Sequence, residues 1–370
     1  MENTSTWIII ASAFFAVSIS ISIAINWLFL KLALNLGSRN PSSQIRWSPD
    51  EKPALGGISF FIVFLISIAF VGTLPRETGF LLDSKLIGLI AATTLGFLIG
   101  LADDAYNTNP LVKFIGQLMC AFILILSDVY IHVTEVPALD FALTGFWVIG
   151  LMNSINMLDN IDGITASISS TIIIGLCTVI FIDGTSENIY LIMMLGVLGA
   201  LIGFLKFNWK PAQIYMGDTG SQFLGVFLAG CGIIFFWKFK AVTDEFLQIK
   251  LFVIPVLYFI VPIIDTSTVT IRRLMRKQSP FVGGKDHITH HLIYLGLNEK
   301  QVSYLLAGIS LLSIPLSFPI LLNLVEWTWW VTVLYFNYFI ILFITFQYLY
   351  NKGAEKKKLK EKTDNPLFQI

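Results

Sequence analysis

Four short segments hold most of the side chains in this sequence that could do chemistry. Asp103-Asp104 closes an apolar run that carries Gly96 and Gly100. Asn153, Asn156, Asp159 and Asp162 recur every three residues and end at Gly163. Met216-Gly217-Asp218-Thr219-Gly220-Ser221 combines a carboxylate with two glycines and two hydroxyls. Asp286-His287-Ile288-Thr289-His290-His291 gathers three of the four histidines.

Each pattern suits phosphate or cation chemistry for a physical reason. Adjacent carboxylates raise at least one pKa unless a cation neutralises them, so Asp103-Asp104 suits metal-phosphate or proton chemistry. Neighbours in the Asn/Asp stripe share a helix face, and carboxylates in such a seam cost enough near a membrane to mark function. Gly163 is expected to end the polar turn and let a ligand approach the backbone. In 216–221 the glycines permit tight turns with amides free to face phosphate. Asp218 can ligate a hard cation; magnesium prefers one or two carboxylates, substrate oxygens and retained waters. His287 and His291 have the i,i+4 spacing of a zinc pair if the segment is helical, yet no Glu lies between them and no Cys is near. Polar contacts to a phosphate or sugar, backed by Arg272 and Arg273, suit them better.

The elements that must position these groups are membrane helices. Of the 370 residues, 55% are apolar and 13% charged, about half the charge of a soluble domain. Apolar runs of 18 or more residues read as transmembrane helices, since only a helix satisfies its own backbone in hydrocarbon. Eleven spans are expected, at roughly 7–30, 55–74, 86–101, 114–131, 141–152, 164–182, 189–206, 222–237, 251–264, 302–322 and 329–349. The fifth and ninth are short, so they are extended, tilted or broken beside a polar cavity, and ten spans is the alternative. The first run follows Glu2 with no basic residue before it and is too long for a cleavable signal. The three cysteines, Cys120, Cys177 and Cys231, lie in apolar runs without CxxC spacing and read as packing residues. The expectation is an all-α polytopic membrane protein: one transmembrane catalytic domain over 1–350 and a basic tail over 351–370.

Charge sets the orientation. Nineteen of the 24 Lys and Arg fall in the tail or in loops after odd-numbered spans, which makes that side cytoplasmic. All four chemistry-bearing segments lie on the same side, so they imply a single cytoplasm-facing active-site cleft. His132 lies on the opposite side. Net charge is zero, so overall balance makes no case for nucleic acid.

Taken in order, these motifs resemble the polyprenyl-phosphate N-acetylhexosamine-1-phosphate transferase family, from about residue 52 to about 297. The resemblance includes Lys52-Pro53-Ala54-Leu55-Gly56-Gly57, the Asp pair, Asn-x-x-Asn-x-x-Asp-x-x-Asp-Gly and Pro-x-x-x-x-Met-Gly-Asp-x-Gly-Ser. It implies ten or eleven helices around a cytoplasm-facing cleft in a bacterial inner membrane, with the C-terminus cytoplasmic. It also implies a magnesium-dependent attack of a lipid phosphate on the β-phosphorus of a UDP-sugar, with manganese as a possible substitute ion. By the same resemblance Asp218 and Asn156 bind the metal, and Asp103 and Asp104 handle the lipid phosphate and its proton. Lys113 contacts phosphate, Asp162 faces uridine, and the Arg272 to His291 loop, with Arg273, His287 and His290, recognises the sugar. Lys52, Asn153, Asp159 and Gly217 join the substrate-binding set. The implied partners are undecaprenyl phosphate, a UDP-N-acetylhexosamine, the lipid bilayer and a second copy in a homodimer, with no nucleic acid.

The loop Ser279-Pro280-Phe281-Val282-Gly283-Gly284-Lys285-Asp286-His287 lacks the Pro-Leu-like lead-in and His-His-His cluster typical of the muramyl-pentapeptide branch. It is closer to the branch that uses UDP-N-acetylglucosamine. Asn160 departs from the Gly or Thr often found between the two aspartates. A secondary transporter would put polar residues at mid-span and repeat its halves; here they gather at one face, with no obvious repeat. Phosphoryl exchange between two anhydrides needs no ATP, and the chain has no GxxxxGK[ST] motif.

Overall fold

The apolar runs close their backbones as helices, giving thirteen among the described residues. In chain order they are α1 Glu2–Leu36, α2 Gly56–Thr73, α3 Ser84–Tyr106, α4 Pro110–Leu126, α5 Pro137–Leu158, α6 Ile164–Ile182 and α7 Ile189–Asn208. They continue with α8 Gly217–Phe236, α9 Phe246–Tyr258, α10 Ile260–Met275, α11 Ile288–Tyr294, α12 Glu299–Leu321 and α13 Trp329–Thr363. The computed structural model describes residues 2–36, 52–73, 83–134, 136–184, 189–237, 246–279, 284 and 286–363. Nine of these helices are long and apolar enough to cross a bilayer, and ten if a bent pair forms one span. The protein is therefore an all-α multi-pass membrane protein.

Among the spans whose bounds differ from the expected ones, the fourth, fifth and ninth bear on the site. The fifth run is not short: α5 has 22 residues, because the helix runs on through 137–140 before it and 153–158 after it, with its polar groups near the start satisfied. Asp140 Oδ1 accepts from the amides of Val133 and Thr134 at 3.2 and 2.9 Å, and Thr144 Oγ1 accepts from the Ile131 amide at 2.9 Å. The ninth run is bent by 83° between α9 and α10. The fourth appears as the 17-residue α4, which starts at Pro110 behind an Asn109 cap that accepts from the Leu111 amide. Proline at the first helical position costs no hydrogen bond.

Nearly all of α8 is buried, and small residues bring its neighbours close enough to place functional groups along it. A Cβ on Gly57 of α2 would collide with the Gly220 backbone, and one on Gly100 of α3 with the Asp218 carbonyl. On α8 itself, a Gly225 Cβ would lie 2.5 Å from Met152 Cα of α5. Small residues are the usual route to tight helix contact where lipid removes the hydrophobic drive.

The outer surface is apolar. On α4, Leu111, Val112, Ile115, Leu118, Met119 and Phe122 are exposed, a lipid-facing stripe that a water-soluble protein would cover. At 35 residues, α13 is about 52 Å long, well beyond a hydrocarbon core of about 30 Å. It therefore projects past the bilayer as a continuous helix.

Candidate active site

The end of α3 is the first anchor. Asn107 adopts the left-handed conformation (φ 49°) and returns its amide to the Asp103 carbonyl at 2.8 Å, which stops the helix just after the Asp pair. The two carboxylates then diverge. Asp103 Oδ1 accepts from the Thr108 amide at 2.9 Å and the Thr108 hydroxyl at 2.5 Å, and its Oδ2 accepts from Lys113 Nζ at 2.7 Å. Asp104 reaches across to α8: Oδ1 accepts from the Asp218 amide at 2.8 Å, and Oδ2 from the Thr219 amide and hydroxyl at 2.8 and 2.6 Å. It thus caps the N-terminus of a helix to which it does not belong, where unsatisfied amides and the helix dipole favour an anion.

That cap fixes Asp218. Its Oδ2 lies 3.1 Å from Lys113 Nζ, so one ammonium bridges buried carboxylates from α3 and α8. Gly217 makes the geometry possible: its φ is +70°, and a Cβ there would sit 2.5 Å from Asp104 Oδ2. The preceding strand of backbone is held by Gly56 and Gly57, whose amides donate to Tyr215 and Met216 at 2.9 and 3.0 Å. Lys52, expected in the substrate-binding set, lies 5.6 Å from the centroid of the Tyr215 ring.

The Asn/Asp stripe divides among partners. Asn153 Nδ2 donates to Gln117 Oε1 at 2.8 Å, and Gln117 Nε2 donates to Gln222 Oε1 at 3.0 Å. Asn156 Oδ1 accepts from Ser221 at 2.9 Å, three residues along α8 from Asp218. The helix stops at Leu158, with Asp159 as its buried C-cap, so the expected stripe does not continue to Asp162 on one helix. Gly163 follows at φ +77°, its amide donating to Asn208 Oδ1 at 3.0 Å. A Cβ there would meet the Trp209 ring at 2.9 Å, so its close neighbour is that indole. Asp162 Oδ2 accepts from the Ala212 amide at 2.9 Å and lies 3.4 Å from Lys210, which also pairs with Glu299 at 2.9 Å. Burial opposes the charge on Lys210, but Glu299 and Asp162 outweigh it and raise its pKa.

The histidine segment is not a convergent pair. His287 precedes α11 and its Nδ1 is 2.8 Å from Asp265 Oδ2. The other oxygen of Asp265 accepts from the Ile288 amide at 2.9 Å. His291 instead packs against Tyr350 of α13, ring centroids 3.6 Å apart and the planes tilted by 34°. Between them Thr289 donates to Asn160 Oδ1 at 2.8 Å, tying α11 to the turn after α5. His290 is fully buried, its ring 5.6 Å from that of His287. Arg273 grips Asp286 with two hydrogen bonds, at 2.8 and 2.5 Å, and this charge pairing outweighs burial to lower the Asp286 pKa. Arg272 lies 3.9 Å from the Tyr350 centroid and donates to Gln347 at 2.8 Å.

Three participants were not singled out from the sequence. Asp265 is a lone carboxylate just past the ninth apolar run, a signal for function at membrane depth. Gln117 and Gln222 are isolated amides at the edges of spans, where a buried polar side chain needs a partner.

A divalent cation fits the donor chemistry. Asp218 carboxylate and Asn156 amide oxygens are hard ligands, and the Asp103 carboxylate shares the Lys113 ammonium with Asp218. Among the described residues no group of three or more His, Cys, Asp or Glu converges as a metal cage. Magnesium suits so small a donor set, because substrate phosphates and waters complete its shell.

Residues 86–236, from α3 through α8, match the model of glycosyl transferase family 4. The chain is 28% identical over 299 residues to a protein of Bacillus subtilis (strain 168) named "Probable undecaprenyl-phosphate N-acetylglucosaminyl 1-phosphate transferase", covering 78% of each. It is 26% identical over 282 residues to the decaprenyl-phosphate N-acetylglucosaminephosphotransferase of Mycobacterium tuberculosis (strain CDC 1551 / Oshkosh), covering 70% of each. It is also 28% identical over 319 residues to a phospho-N-acetylmuramoyl-pentapeptide-transferase of Prochlorococcus marinus subsp. pastoris, covering 80% of this chain and 84% of the relative.

Proposed function

We propose that this chain, which carries the glycosyl transferase family 4 region over residues 86–236, transfers N-acetylglucosamine 1-phosphate from its UDP-sugar to undecaprenyl phosphate. The reaction takes place on the cytoplasmic side of a bacterial inner membrane and releases UMP. The observation that carries this reading is Lys113, held between Asp103 and Asp218 at the start of a helix whose outer face is apolar. An embedded lipid phosphate and a soluble nucleotide can meet there.

An oxygen of the lipid phosphate attacks the β-phosphorus of the donor. The bond from that phosphorus to the bridging oxygen breaks, and UMP leaves with the oxygen. One phosphoanhydride replaces another, so the work is positioning and charge neutralisation. Asp103 and Asp104 handle the lipid phosphate and its proton, Lys113 neutralises phosphate charge, and Asp104 also orients Asp218 through the α8 cap. Asp218 and Asn156 would hold magnesium, or manganese in its place, and the ion would neutralise charge on the pyrophosphate. Asp162 serves the uridine side, and Lys52, Asn153, Asp159 and Gly217 complete the substrate-binding set. The Arg272–His291 segment serves the sugar, with Arg273 held rigid by Asp286.

A second donor is tested alongside, because the Prochlorococcus relative named for a muramoyl-pentapeptide substrate covers a larger share of the chain. Purified protein is given undecaprenyl phosphate, magnesium and either UDP-N-acetylglucosamine or the muramoyl-pentapeptide nucleotide, with Asp218→Ala as control. Lipid-dependent UMP release with the first donor, lost in the variant, is the expected result. Release with the second donor alone would move the chain to the peptidoglycan reaction, and release with neither would overturn the reading.

A further inference from the structure

Where α13 leaves the bilayer it folds part of the protein against itself. Gly353 lies so close to α11 that a Cβ would stand 2.6 Å from the His291 carbonyl oxygen. Lys356 Nζ donates to the Leu295 carbonyl at 3.0 Å, and Lys357 lies 5.4 Å from the Tyr294 ring centroid. Between this part of α13, the end of α10 and α11 opens a cavity of about 390 Å³, lined by Arg276, Asp286, His291, Tyr350, Lys357 and Lys358.

The lining is unbalanced in charge. Both carboxylate oxygens of Asp286, the one acid in the lining, accept from Arg273 outside it. Arg276, Lys357 and Lys358 face one opening together. His291 lines the same cavity at 4% exposure, and its Nδ1 has no hydrogen-bond partner, an uncommon state for a buried polar atom. Burial first, then Lys357 and Arg272, hold its imidazole neutral down to about pH 4, with Arg276 adding to the field and Asp286 opposing it. The cavity also sits at a chemical boundary. The turn of α10 before Arg276 exposes Ile271, Leu274 and Met275, the last at 80%, as a lipid-facing surface would. Three cations next to such a surface lie at headgroup depth.

We propose that this cavity is a phosphate-binding site, taking the headgroup of an anionic phospholipid whose chains run along Ile271, Leu274 and Met275. Arg276, Lys357 and Lys358 supply the charge, and the α11 wall carries occupancy to the histidine segment. The site shares no residue with the Asp103–Lys113–Asp218 cluster, but its Arg276, Asp286 and His291 lie within the Arg272–His291 segment given to the sugar above, so the test leaves the sugar nucleotide out and alters only α13.

The test is hydrogen exchange of the full chain in nanodiscs, without any sugar nucleotide, so its failure and that of the proposed reaction are separable. Phosphatidylcholine discs are compared with discs that also contain phosphatidylglycerol, and with phosphatidylcholine discs plus inorganic phosphate. Phosphatidylglycerol is expected to slow exchange in 288–295 and 350–358. The double variant Lys357→Gln/Lys358→Gln should lose roughly tenfold or more of that protection, since each basic side chain near an anionic surface is worth about a factor of five. The same protection from inorganic phosphate alone, lost in the variant, would keep the site and assign it to free phosphate. No protection from either source, or protection undiminished in the double variant, would overturn the proposal.

Discussion

Lys113 Nζ lies 2.7 Å from Asp103 Oδ2 and 3.1 Å from Asp218 Oδ2, so a single ammonium joins the end of α3 to the start of α8. All three side chains are largely buried, at 15, 8 and 3% exposure. Removing the cation leaves two facing carboxylates without compensation. Breaking a buried ion pair from one side costs about 3–5 kcal/mol. Lys113→Met is therefore expected to lower the melting temperature and cut UMP release by at least about a hundredfold, while Lys113→Arg keeps the fold and part of the activity. A melting temperature and rate unchanged in Lys113→Met would remove this bridge from the argument.

Gly217 is required twice over, by φ +70° and by an Asp104 oxygen 2.5 Å from where a Cβ would lie. The left-handed conformation alone costs a non-glycine residue about 1–2 kcal/mol. Gly217→Ala should push Asp104 off the α8 cap and misplace Asp218. About a tenfold to hundredfold loss in kcat is expected, with little change in KM for the lipid. A loss confined to lipid KM would show that Gly217 acts elsewhere.

Much of this cluster is legible before folding. Asp103, Asp104 and Asp218 stand out as carboxylates in an apolar chain, and loop parity already puts them on one side. What the spacing cannot convey is division of labour. Adjacent Asp103 and Asp104 serve different helices, because successive side chains on a helix point about 100° apart. His287 and His291 look like an i,i+4 pair, but α11 begins after His287, so the two rings face Asp265 and Tyr350. Asp265 escapes notice because a lone carboxylate at the end of an apolar run has no motif around it. Likewise the basic C-terminal run reads as a tail, although the contacts of Gly353 and Lys356 with α11 depend on residues far off in sequence.

Asp265 orients the histidine segment from behind, holding His287 Nδ1 at 2.8 Å and the Ile288 amide at 2.9 Å. A carboxylate on one imidazole nitrogen sets which nitrogen carries the proton and where the ring points. Asp265→Asn should therefore raise the KM for the UDP-sugar several-fold more than it lowers kcat, with the lipid KM unaffected. Steady-state kinetics with each substrate varied in turn separates these effects; equal loss in all three parameters would point to general misfolding.

The contact between α11 and α13 gives a steric prediction. With the His291 carbonyl oxygen 2.6 Å and its Cβ 2.8 Å from a hypothetical Gly353 Cβ, no substituent fits without separating the helices. Gly353→Val should loosen both, costing about 1–3 kcal/mol by overpacking. Limited proteolysis should then cut 350–363 faster than in the parent protein, and equal cleavage rates would count against this packing.

His291 makes the fold pH-sensitive in one window. Burial, Lys357 and Arg272 depress its pKa from 6.5 to about 4. Between those values the unfolded chain binds a proton that the folded chain does not, so unfolding is favoured as pH falls from about 6.5 to 4. Above 6.5 both states are neutral at this position, and below 4 both are protonated, so its contribution is flat outside the window. His291→Gln cannot titrate, so its melting temperature should fall less steeply than that of the parent between pH 7 and 4.5, by about a few degrees. Other carboxylates titrate alike in both proteins and cancel in the difference. Parallel curves across that range would show that this imidazole is already charged in the folded state, contrary to its position among Arg272, Arg276 and Lys357.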